Sequence, residues 1–394
     1  MGEHYDYIIA GAGAAGLSLA YHMVQAGLPG KILLLDRAPK TTNDRTWCFW
    51  DAEEHPFEEV VFRQWQQIWF HGEGISRRLD IAPYAYKMIR GIDFYNYMNR
   101  WVGQQPSITV KYGEIAHLRE VEGGVEVQLD GASFRGCWAF NSLYKPVPKS
   151  PYHHHLLQHF KGWVVRTEGP VFDPEAATFM DFRVGQQGGV RFVYVLPFDA
   201  QTALVEYTLF SAELLSQDDY NAGLRGYLER WLGQSHYEIL ESEFGIIPMT
   251  DVPFSRQTSP HIMNIGMAGG RTKASTGYTF QRIQHQSRRI ADALIRTGQP
   301  FYPEPALNRH AFMDSVLLNV LENRRSSGKR VFSDLFRKNP PQRVLRFLDE
   351  ETSLLEDVLI MSSVDIPAFL RATLAVAGAR LCRWAPRPLE PDRG

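Results

Sequence analysis

Three glycines near the start of the chain have the spacing of a dinucleotide-binding turn. An apolar stretch, Tyr5–Ala10, leads into Gly11-Ala12-Gly13-Ala14-Ala15-Gly16. The first glycine allows the turn, the second lets a pyrophosphate approach the backbone, and the third lets the following helix pack on the strand. Asp36 ends a second apolar stretch, Lys31–Leu35, where an acid can accept a hydrogen bond from a ribose hydroxyl. This pattern predicts binding of FAD or NAD(H), with Arg37 and Arg45 as further contacts.

A single carboxylate, Glu206, lies in a stretch that is apolar on both faces. Because side chains alternate along a strand, Glu206 of the predicted strand Ala203–Phe210 points the same way as two apolar residues and a threonine. Burial disfavours the charged carboxylate and raises its pKa above the reference value of about 4.3. Glu206 is therefore a candidate general acid. The alternative is a structural carboxylate paired with Arg183 or Arg191, and the sequence leaves both interpretations open.

A second glycine-rich turn follows a later strand. The segment His261–Ala268 is predicted to be a strand, and Ser275–Thr297 is predicted to be a helix because its apolar residues recur near a 3.6-residue period. The helix N-terminus, aimed at a cofactor ring, would favour negative charge there. The predicted cofactor contacts in this turn are Gly266, Gly270, Thr276 and Gly277.

The elements that position these residues are mostly strands. Residues 107–141 and 160–250 are rich in alternating apolar residues, and residues 308–383 have helical periodicity. The segment Thr41–Asp51 is predicted to be a polar loop whose Trp47 and Trp50 form part of a ligand wall. Adjacent histidines at 153–155, with His159, have poor geometry for a metal site, so no metal is predicted.

Composition limits the class of protein. The chain has 394 residues, enough for two intertwined lobes, and a net charge of -2 that indicates no nucleic-acid partner. Its three cysteines are widely spaced, which fits a reducing compartment. Because the first strand begins at Tyr5, we expect no signal peptide, and no apolar run is long enough to span a bilayer.

The C-terminal third is basic and partly apolar. Residues 271–394 contain 20 Lys and Arg against 13 Asp and Glu, a net charge of +7. Within them, Phe369–Trp384 is largely apolar, carries three arginines and ends in a tryptophan. Such a segment can lie in a membrane interface. A helix packed on the protein's own core is the equal alternative.

Taken together, these residues resemble the lycopene cyclase family of flavoproteins, and the likeness runs nearly end to end. Besides the glycine turn with Asp36, the family-like segments are Arg45-Thr-Trp-Cys-Phe-Trp50, Phe179-Met-Asp181-Phe-Arg183, Phe192–Pro197, Leu204-Val-Glu206-Tyr-Thr208, Phe244–Met249 and Ser275-Thr-Gly-Tyr278. Three positions depart from the family pattern: Tyr207 replaces a second Glu, Lys273-Ala274 replaces His-Pro, and Asp349–Leu354 imitates the acidic motif in the helical region. The resemblance therefore assigns the catalytic role to Glu206 alone.

The resemblance and the elements together predict an α/β fold in three parts. A Rossmann-type FAD-binding domain of the glutathione reductase/p-hydroxybenzoate hydroxylase kind would comprise residues 1–150 and 255–300. A β-rich substrate lobe (60–100 and 151–254) would be interleaved with it, and a helical region (301–394) with possible membrane contact would follow.

The implied reaction is a non-redox isomerisation that closes the linear ends of lycopene to rings. Glu206 would protonate a terminal double bond, and the resulting cation would close the ring. FAD would be reduced, with NAD(P)H or another donor only as indirect reductant. Trp47, Trp50, Tyr278, Asp181 and Arg183 would line the substrate pocket. A linear carotene must come from a bilayer, so the expected location is cytoplasmic and peripheral to the inner membrane.

Two other classes remain open from the sequence. One is a flavin hydroxylase or prenyl-chain reductase of the same fold, although Gly266-Met267 lacks the Asp that many hydroxylases carry there. The other is a non-catalytic carotenoid-binding flavoprotein. The number of ends cyclised, the preferred linear carotene and the oligomeric state are not determined by the sequence.

Overall fold

A computed structural model describes residues 3–304 and 308–384, with the side chains of residues 382–384 excepted. The strands are β1 His4–Ala10, β2 Ile32–Asp36, β3 Thr46–Asp51, β4 Arg63–Trp65, β5 Gln67–Gly72, β6 Ile75–Asp80, β7 Ala85–Arg90, β8 Ile108–Tyr112, β9 Ile115–Val121, β10 Gly124–Leu129, β11 Ala132–Asn141, β12 His155–Thr167, β13 Ala176–Asp181, β14 Val190–Pro197, β15 Thr202–Ser211, β16 Tyr237–Thr250, β17 Gln257–Ser259 and β18 Ile262–Asn264. The α-helices are α1 Ala14–Gln25, α2 Gly91–Gly103, α3 Gln217–Leu232, α4 Phe280–Thr297, α5 Arg309–Glu322, α6 Gly328–Lys338, α7 Pro341–Leu348, α8 Leu354–Ser363 and α9 Ile366–Trp384.

The first sheet has a parallel centre. Its order is β17-β18-β11-β1-β2-β8, with β10 and β9 continuing antiparallel from β11. Strands β1, β2, β8, β11 and β18 run parallel, and the helix α1 connects β1 to β2. All five residues of β2 are buried, as expected for a strand covered on both faces. This βαβ unit places the glycine turn at the carboxyl end of β1, where such sheets bind ligands.

The second sheet is larger and mixed. Its order is β16-β12-β15-β14-β13-β5-β6, so residues 67–80 join strands from residues 155–250. On one face α3 packs against β12, β14 and β15, and on the other the aromatic residues of the sheet pack against α6. A small sheet, β3-β7-β4, completes the β structure of the described residues.

Three sequence-based boundaries differ from the structure. The tryptophan segment is not a loop: residues 46–51 form β3, antiparallel to β7, a partner 40 residues downstream that local pattern does not reveal. The strand at 261–268 is only β18, because a 3₁₀ turn, Gly266–Gly269, replaces its second half. The helix after it starts at Phe280 rather than Ser275, since Gly277 has a φ of +75° that no helix residue adopts.

Candidate active site

A cavity of about 410 Å³ lies between the glycine turn of the first sheet and the inner face of the second. Its polar and backbone lining comes from Gly13, Ala14, Ala15, Asp44, Arg45, Thr46, Ser142, Gln158, Glu206, Thr276, Gly277 and Thr279. Its apolar and aromatic lining includes Trp47, Tyr86, Phe160, Tyr194, Leu196, Leu204, Phe244, Ile246, Ile247, Tyr278, Phe280 and Ile283. Residues more than 260 positions apart thus meet in one chamber.

The glycine turn forms one wall of this cavity. Gly11 has a φ of +102°, a conformation that side chains disfavour. A Cβ on Gly16 would lie 1.9 Å from the carbonyl oxygen of Gly11, so the third glycine lets α1 approach the turn. Gly13 differs, because a Cβ there would meet no protein atom within 4 Å and would project into open space. That open approach beside the N-terminus of α1 fits a pyrophosphate.

Asp36 stands next to the turn at the end of β2. Its two carboxylate oxygens accept hydrogen bonds from the backbone N–H of Ala12 (2.8 Å) and of Arg37 (2.7 Å). These bonds orient the carboxylate, and Oδ2 keeps a lone pair for a ribose hydroxyl, whereas Oδ1 also lies 3.5 Å from Lys40 Nζ. The side chain of Arg37 is exposed, and Arg45 pairs with Asp44 at 2.9 Å on the cavity rim.

The second glycine turn lies against the first one, on the same side of the cavity. Gly266 has a φ of +57°, and a Cβ there would lie 2.5 Å from the Cβ of Ala15, so the two turns touch. The 3₁₀ helix within this turn ends at Gly270, which also has positive φ, and the turn continues to α4. Nearby, Thr276 Oγ1 and Gln158 Oε1 are buried without a hydrogen-bond partner among the described residues. Buried polar atoms require partners, so this pair fits the polar edge of a bound ring system.

Glu206 points into the cavity from β15, between Gly162 of β12 and Tyr194 of β14. Its Oε1 accepts a hydrogen bond of 2.6 Å from Thr208 Oγ1. Burial, followed by the negative charge of Glu243, raises the pKa of Glu206 well above its ordinary value. The environment therefore favours the protonated carboxyl, which is the form a general acid needs.

Neither arginine considered from the sequence pairs with Glu206. Arg183 Nη2 lies 2.5 Å from Asp181 Oδ2, and Arg191 Nη1 donates to Tyr207 OH at 3.2 Å. Tyr207 alternates with Glu206 and packs on the opposite face of the sheet, against α3. The ion pair that would make Glu206 a structural carboxylate is therefore not formed.

A second carboxylate, Glu243, lies beside Glu206, and the sequence analysis did not identify it. Its Oε2 accepts a hydrogen bond of 2.9 Å from Thr46 Oγ1, and its pKa is also raised, chiefly by burial. It belongs to β16, where an acid at an alternating position has no distinctive local signal. Only the pairing of β16 with β12 brings Glu243 to Glu206.

Of the aromatic residues predicted to line the pocket, some reach the cavity and one lies behind its wall. Trp47 lines the cavity, with its ring centroid 5.3 Å from that of Phe280. Tyr278 also lines it, and Trp50 lies edge-on behind Tyr278 at 4.8 Å. Trp50 therefore supports the wall rather than facing the cavity.

Asp181 and Arg183 lie elsewhere, which corrects their predicted place in the substrate pocket. Asp181 is fully buried, and its Oδ2 also accepts a hydrogen bond of 2.8 Å from Tyr227 OH. The guanidinium of Arg183 stacks over the ring of Trp231 at 4.4 Å. Both aromatic partners belong to α3, on the far side of the second sheet. The pair therefore ties the end of β13 to α3.

The histidine run is also accounted for by local contacts. His154 Nδ1 lies 2.9 Å from Asp251 Oδ2, and His159 contacts Tyr220 OH and Ser211 Oγ. Within residues 3–304 and 308–384, no group of three or more His, Cys, Asp or Glu side chains has the arrangement of a metal site.

Comparison with known proteins identifies the family. A model of the lycopene cyclase protein family matches residues 6–374. The chain belongs to the lycopene cyclase family. The resemblance inferred from the sequence is thereby confirmed.

Individual relatives of this cyclase-family chain are distant. The neoxanthin synthase of Solanum tuberosum is 26% identical over 312 residues, which cover 74% of this chain and 61% of that protein. The lycopene beta-cyclase of Pseudescherichia vulneris is 24% identical over 313 residues, covering 75% and 76%. The chain thus spans about three fifths of the length of the plant relatives it matches.

Solved structures share the fold of this cyclase-family chain. A flavoprotein/dehydrogenase from Cytophaga hutchinsonii has a TM-score of 0.62 at 12% identity, covering 95% of this chain and 100% of that one. A geranylgeranyl bacteriochlorophyll reductase-like protein from Thermoplasma acidophilum has a TM-score of 0.56 at 13% identity, covering 94% and 96%. At such identities the likeness shows the fold alone. The predicted α/β flavoprotein fold is confirmed.

The position that departs from the family's His-Pro holds a buried ion-pair cluster. Lys273 Nζ lies 2.9 Å from Asp314 Oδ1 and 3.1 Å from Glu350 Oε1, and Arg282 also reaches Glu350 at 2.8 Å. Although burial by itself raises the pKa of Glu350, the charges of Lys273 and Arg282 lower it to about 2. This cluster anchors the second glycine turn to α5 and to the turn before α8.

Replacing Lys273 by Met is therefore expected to destabilise the fold strongly. Two buried carboxylates would lose their shared cation, which costs about 3 to 5 kcal/mol of the free energy of unfolding. Urea unfolding monitored by circular dichroism measures the loss, with exposed Lys149→Met as the control. A loss below about 1 kcal/mol would show that Arg282 alone holds the cluster.

Proposed function

We propose that this chain is a lycopene β-cyclase, which closes the linear ψ ends of lycopene to β-ionone rings, through gamma-carotene to beta-carotene, without net redox change. The observation that carries the proposal is the setting of Glu206. Its carboxyl favours the protonated form and projects into a cavity with an apolar and aromatic side, whose opposite wall is the glycine turn. The membership in the lycopene cyclase family and the bacterial relatives named lycopene beta-cyclase support the same conclusion.

In this mechanism Glu206 delivers its proton to the terminal C1=C2 double bond of the substrate. The electrons of that bond form the new C–H bond, and a tertiary cation remains at C1. The C5=C6 double bond then attacks C1 and closes the six-membered ring, which moves the positive charge to C5. The proton at C6 passes to the carboxylate left on Glu206, and the electrons of its C–H bond form the C5=C6 double bond of the β ring. Leu196, Leu204 and Phe160 hold the chain and exclude the water that would quench the cation.

The aromatic lining contributes to the same step. Trp47 and Tyr278 line the cavity, and aromatic rings can stabilise a passing cation through cation–π contact. Such contacts contribute about 0.5 to 2 kcal/mol each, depending on how fully they exclude solvent. They supplement the acid rather than replace it.

FAD is the cofactor that these walls fit best. Gly11, Gly13, Gly16 and Asp36 would hold its pyrophosphate and ribose, and Thr276 and Gly277 would border its ring. When reduced, the flavin supplies negative charge that stabilises the substrate cation without net electron transfer. NAD(P)H or another donor would serve only to reduce it. A structure of an HpxO variant from Klebsiella pneumoniae in complex with FAD has the same fold, with a TM-score of 0.56 at 15% identity, covering 94% of this chain and 99% of that one.

The decisive experiment is anaerobic incubation of the purified protein with lycopene in liposomes. One arm contains oxidised FAD and the other contains dithionite-reduced FAD. The pigments are then separated, and their masses are measured by mass spectrometry. We expect ring-bearing product of unchanged mass only in the reduced arm. Products heavier by oxygen would indicate a hydroxylase, and products heavier by two hydrogens would indicate a reductase. Unreacted lycopene beside bound FAD would overturn lycopene as the substrate.

We further propose that the protein works at the cytoplasmic face of the inner membrane, attached through α8 and α9. Moving a forty-carbon polyene into water costs on the order of 30 kcal/mol, so the substrate must pass directly from the bilayer. Among the described residues no helix is both long and apolar enough to cross a membrane. An apolar stripe is exposed instead on two consecutive helices, formed by Leu354, Leu355, Val358, Leu359, Ile366, Leu370 and Leu374.

The apolar character of the stripe, rather than its charge, supports a lipid surface as its occupant. Residues 354–374 contain exposed Arg371 but also Glu356, Asp357 and Asp365, whereas the wider region 271–394 has a net charge of +7. Of the segment Phe369–Trp384 considered from the sequence, Phe369 and Ala372 face the protein core while Leu370 and Leu374 face outward. Its terminal tryptophan side chain lies outside the described residues.

Replacing Leu355 and Leu374 by Glu is expected to release the protein from membranes. These side chains are 70% and 66% exposed, so the changes introduce charge where lipid contact is proposed without disturbing the core. Flotation with vesicles containing anionic lipid should show at least a tenfold loss of bound protein. The matched control is Ile295→Glu, at an exposed apolar residue on α4. Equal flotation of both variants and wild type would contradict the proposed surface.

A further inference from the structure

One residue, Gly162, lies between the two half-buried carboxylates, Glu206 and Glu243, on the strand that separates theirs. In the second sheet β12 lies between β15 and β16, and Gly162 of β12 is the register partner of both Glu206 and Glu243. Register partners project to the same face of a sheet. Glu206, Gly162 and Glu243 therefore form a row on the cavity face.

The missing side chain of Gly162 opens the space between the two acids. A Cβ at this position would lie 3.0 Å from Glu243 Cγ, 3.2 Å from Glu243 Oε1 and 2.9 Å from Leu204 Cδ1. These distances are shorter than ordinary contacts, so a side chain here would push Glu243 away. Because Gly162 has no such atom, Glu243 can lean across β12 toward Glu206. The charge of Glu243 contributes to the raised pKa of Glu206, although their strands are not neighbours.

The hydrogen bonds around the row are incomplete unless a proton lies between the acids. Thr208 donates to Glu206 Oε1 and Thr46 donates to Glu243 Oε2. Glu243 Oε1 is buried and receives no hydrogen bond from any described donor. A buried carboxylate oxygen without a donor is costly, and the proton of Glu206 supplies the missing donor.

We propose that Glu243 is a positioning residue for the acid: it accepts a hydrogen bond from protonated Glu206 across Gly162, and so holds the transferable proton at the cavity. This inference rests on the proposed cyclase function. Two like charges cannot both ionise at close range without cost, so the pair retains one proton at neutral pH.

In each ring closure the carboxyl pair gives up one proton and regains one proton. Breaking the Glu206 O–H bond leaves its electron pair on the carboxylate, while the proton forms the new C–H bond of the substrate. The pair then carries two negative charges facing the carbocation, which stabilises that cation. The doubly charged pair accepts the proton lost from C6, which restores its singly protonated state and balances the proton delivered.

Other titratable groups surround the row and set the background for its pH dependence. They come from the loop before β3 and from β3, β7, β14, β16 and the second glycine turn, and are Asp44, Arg45, Cys48, Tyr86, Tyr194, Glu241 and Tyr278. Burial raises the pKa values of the thiol and of the three phenols, so these four remain neutral near pH 7. The carboxyl pair is therefore the group expected to titrate in the working range.

The test is the pH profile of Glu243→Gln, with Glu238→Gln on the same strand as the matched exposed control. Removing the neighbouring negative charge lowers the pKa of Glu206, so its proton is lost at lower pH. With reduced FAD and lycopene we expect kcat at pH 7 to fall at least tenfold with KM unchanged, and to recover toward acid pH. A purely structural role predicts an equal loss at every pH, which would overturn the proposal.

A second readout does not depend on turnover. Infrared difference spectroscopy of the FAD-loaded protein detects the C=O stretch of a protonated carboxyl as pH is raised. We expect a band in the wild type that disappears in Glu206→Gln and titrates at lower pH in Glu243→Gln. Gly162→Ala should behave like Glu243→Gln, because its methyl group displaces Glu243. If the wild type shows these shifts but does not cyclise lycopene, the interaction of Glu206 with Glu243 is supported and lycopene is not the substrate. If the band of Glu243→Gln titrates as in the wild type, the proposed interaction is refuted.

Discussion

Replacing Glu206 by Gln is expected to lower the rate of ring formation by about 10³-fold, the largest effect of any single change in the cavity. Glutamine has the same size and can accept the hydrogen bond from Thr208, but it has no proton of suitable acidity to deliver. The rate is measured as cyclised product per unit time under anaerobic conditions with reduced FAD. Substrate binding should persist, because the apolar lining is untouched.

The melting temperature of Glu206→Gln distinguishes a catalytic role of Glu206 from a structural role. In the wild type, burial and the charge of Glu243 make an ionised Glu206 unfavourable, so a neutral amide should maintain or raise the melting temperature. The matched control is Glu213→Gln, at an exposed residue just after β15, for which neither rate nor stability should change. A Glu206→Gln protein with wild-type turnover would eliminate Glu206 as the acid, and a carotenoid carrier would then become the better interpretation.

Replacing Gly13 by Val is expected to abolish FAD binding, with at least a hundredfold increase in Kd. Gly13 has a φ of -85°, which valine can adopt, and its Cβ meets no protein atom within 4 Å. The added side chain therefore occupies the space through which the pyrophosphate approaches, without straining the protein. Flavin absorbance after gel filtration and titration of the apoprotein with FAD measure the loss.

Two other glycine substitutions test whether the loss of FAD binding is specific to Gly13. Gly103→Val adds the same side chain at an exposed helix end, again with no atom within 4 Å, and should leave FAD binding unchanged. Gly16→Val should instead unfold the turn itself, since its Cβ would overlap the carbonyl oxygen of Gly11. FAD bound normally by Gly13→Val would place the pyrophosphate elsewhere and refute the assigned cofactor site.

The glycine turn was predictable because its requirements are local. Gly11, Gly13 and Gly16 meet the needs of a turn and a helix start that lie within a few residues of them. The strand of Glu206 was predictable for a similar reason, since alternation within β15 is a property of consecutive residues. The structure bears out that alternation: Tyr207 faces α3 and Glu206 faces the cavity.

Other features escaped prediction because their causes lie far along the chain. Trp47 and Trp50 are in a strand only because β7 pairs with them, and Trp50 is excluded from the cavity by Tyr278. Asp181 and Arg183 match a family-like segment, yet contacts with α3 turn them away from the substrate side. A motif identifies residues that matter, but its side-chain directions depend on packing.

The glycine turn, the strand that carries Glu206 and the membership in the lycopene cyclase family could all be inferred from the sequence, because each depends on adjacent residues or on an ordered set of short segments. The position of Glu243 near Glu206 could not be inferred in this way. Their proximity depends on two strand registers that meet at Gly162, and strand register is set by the packing of whole sheet faces rather than by neighbours in the chain.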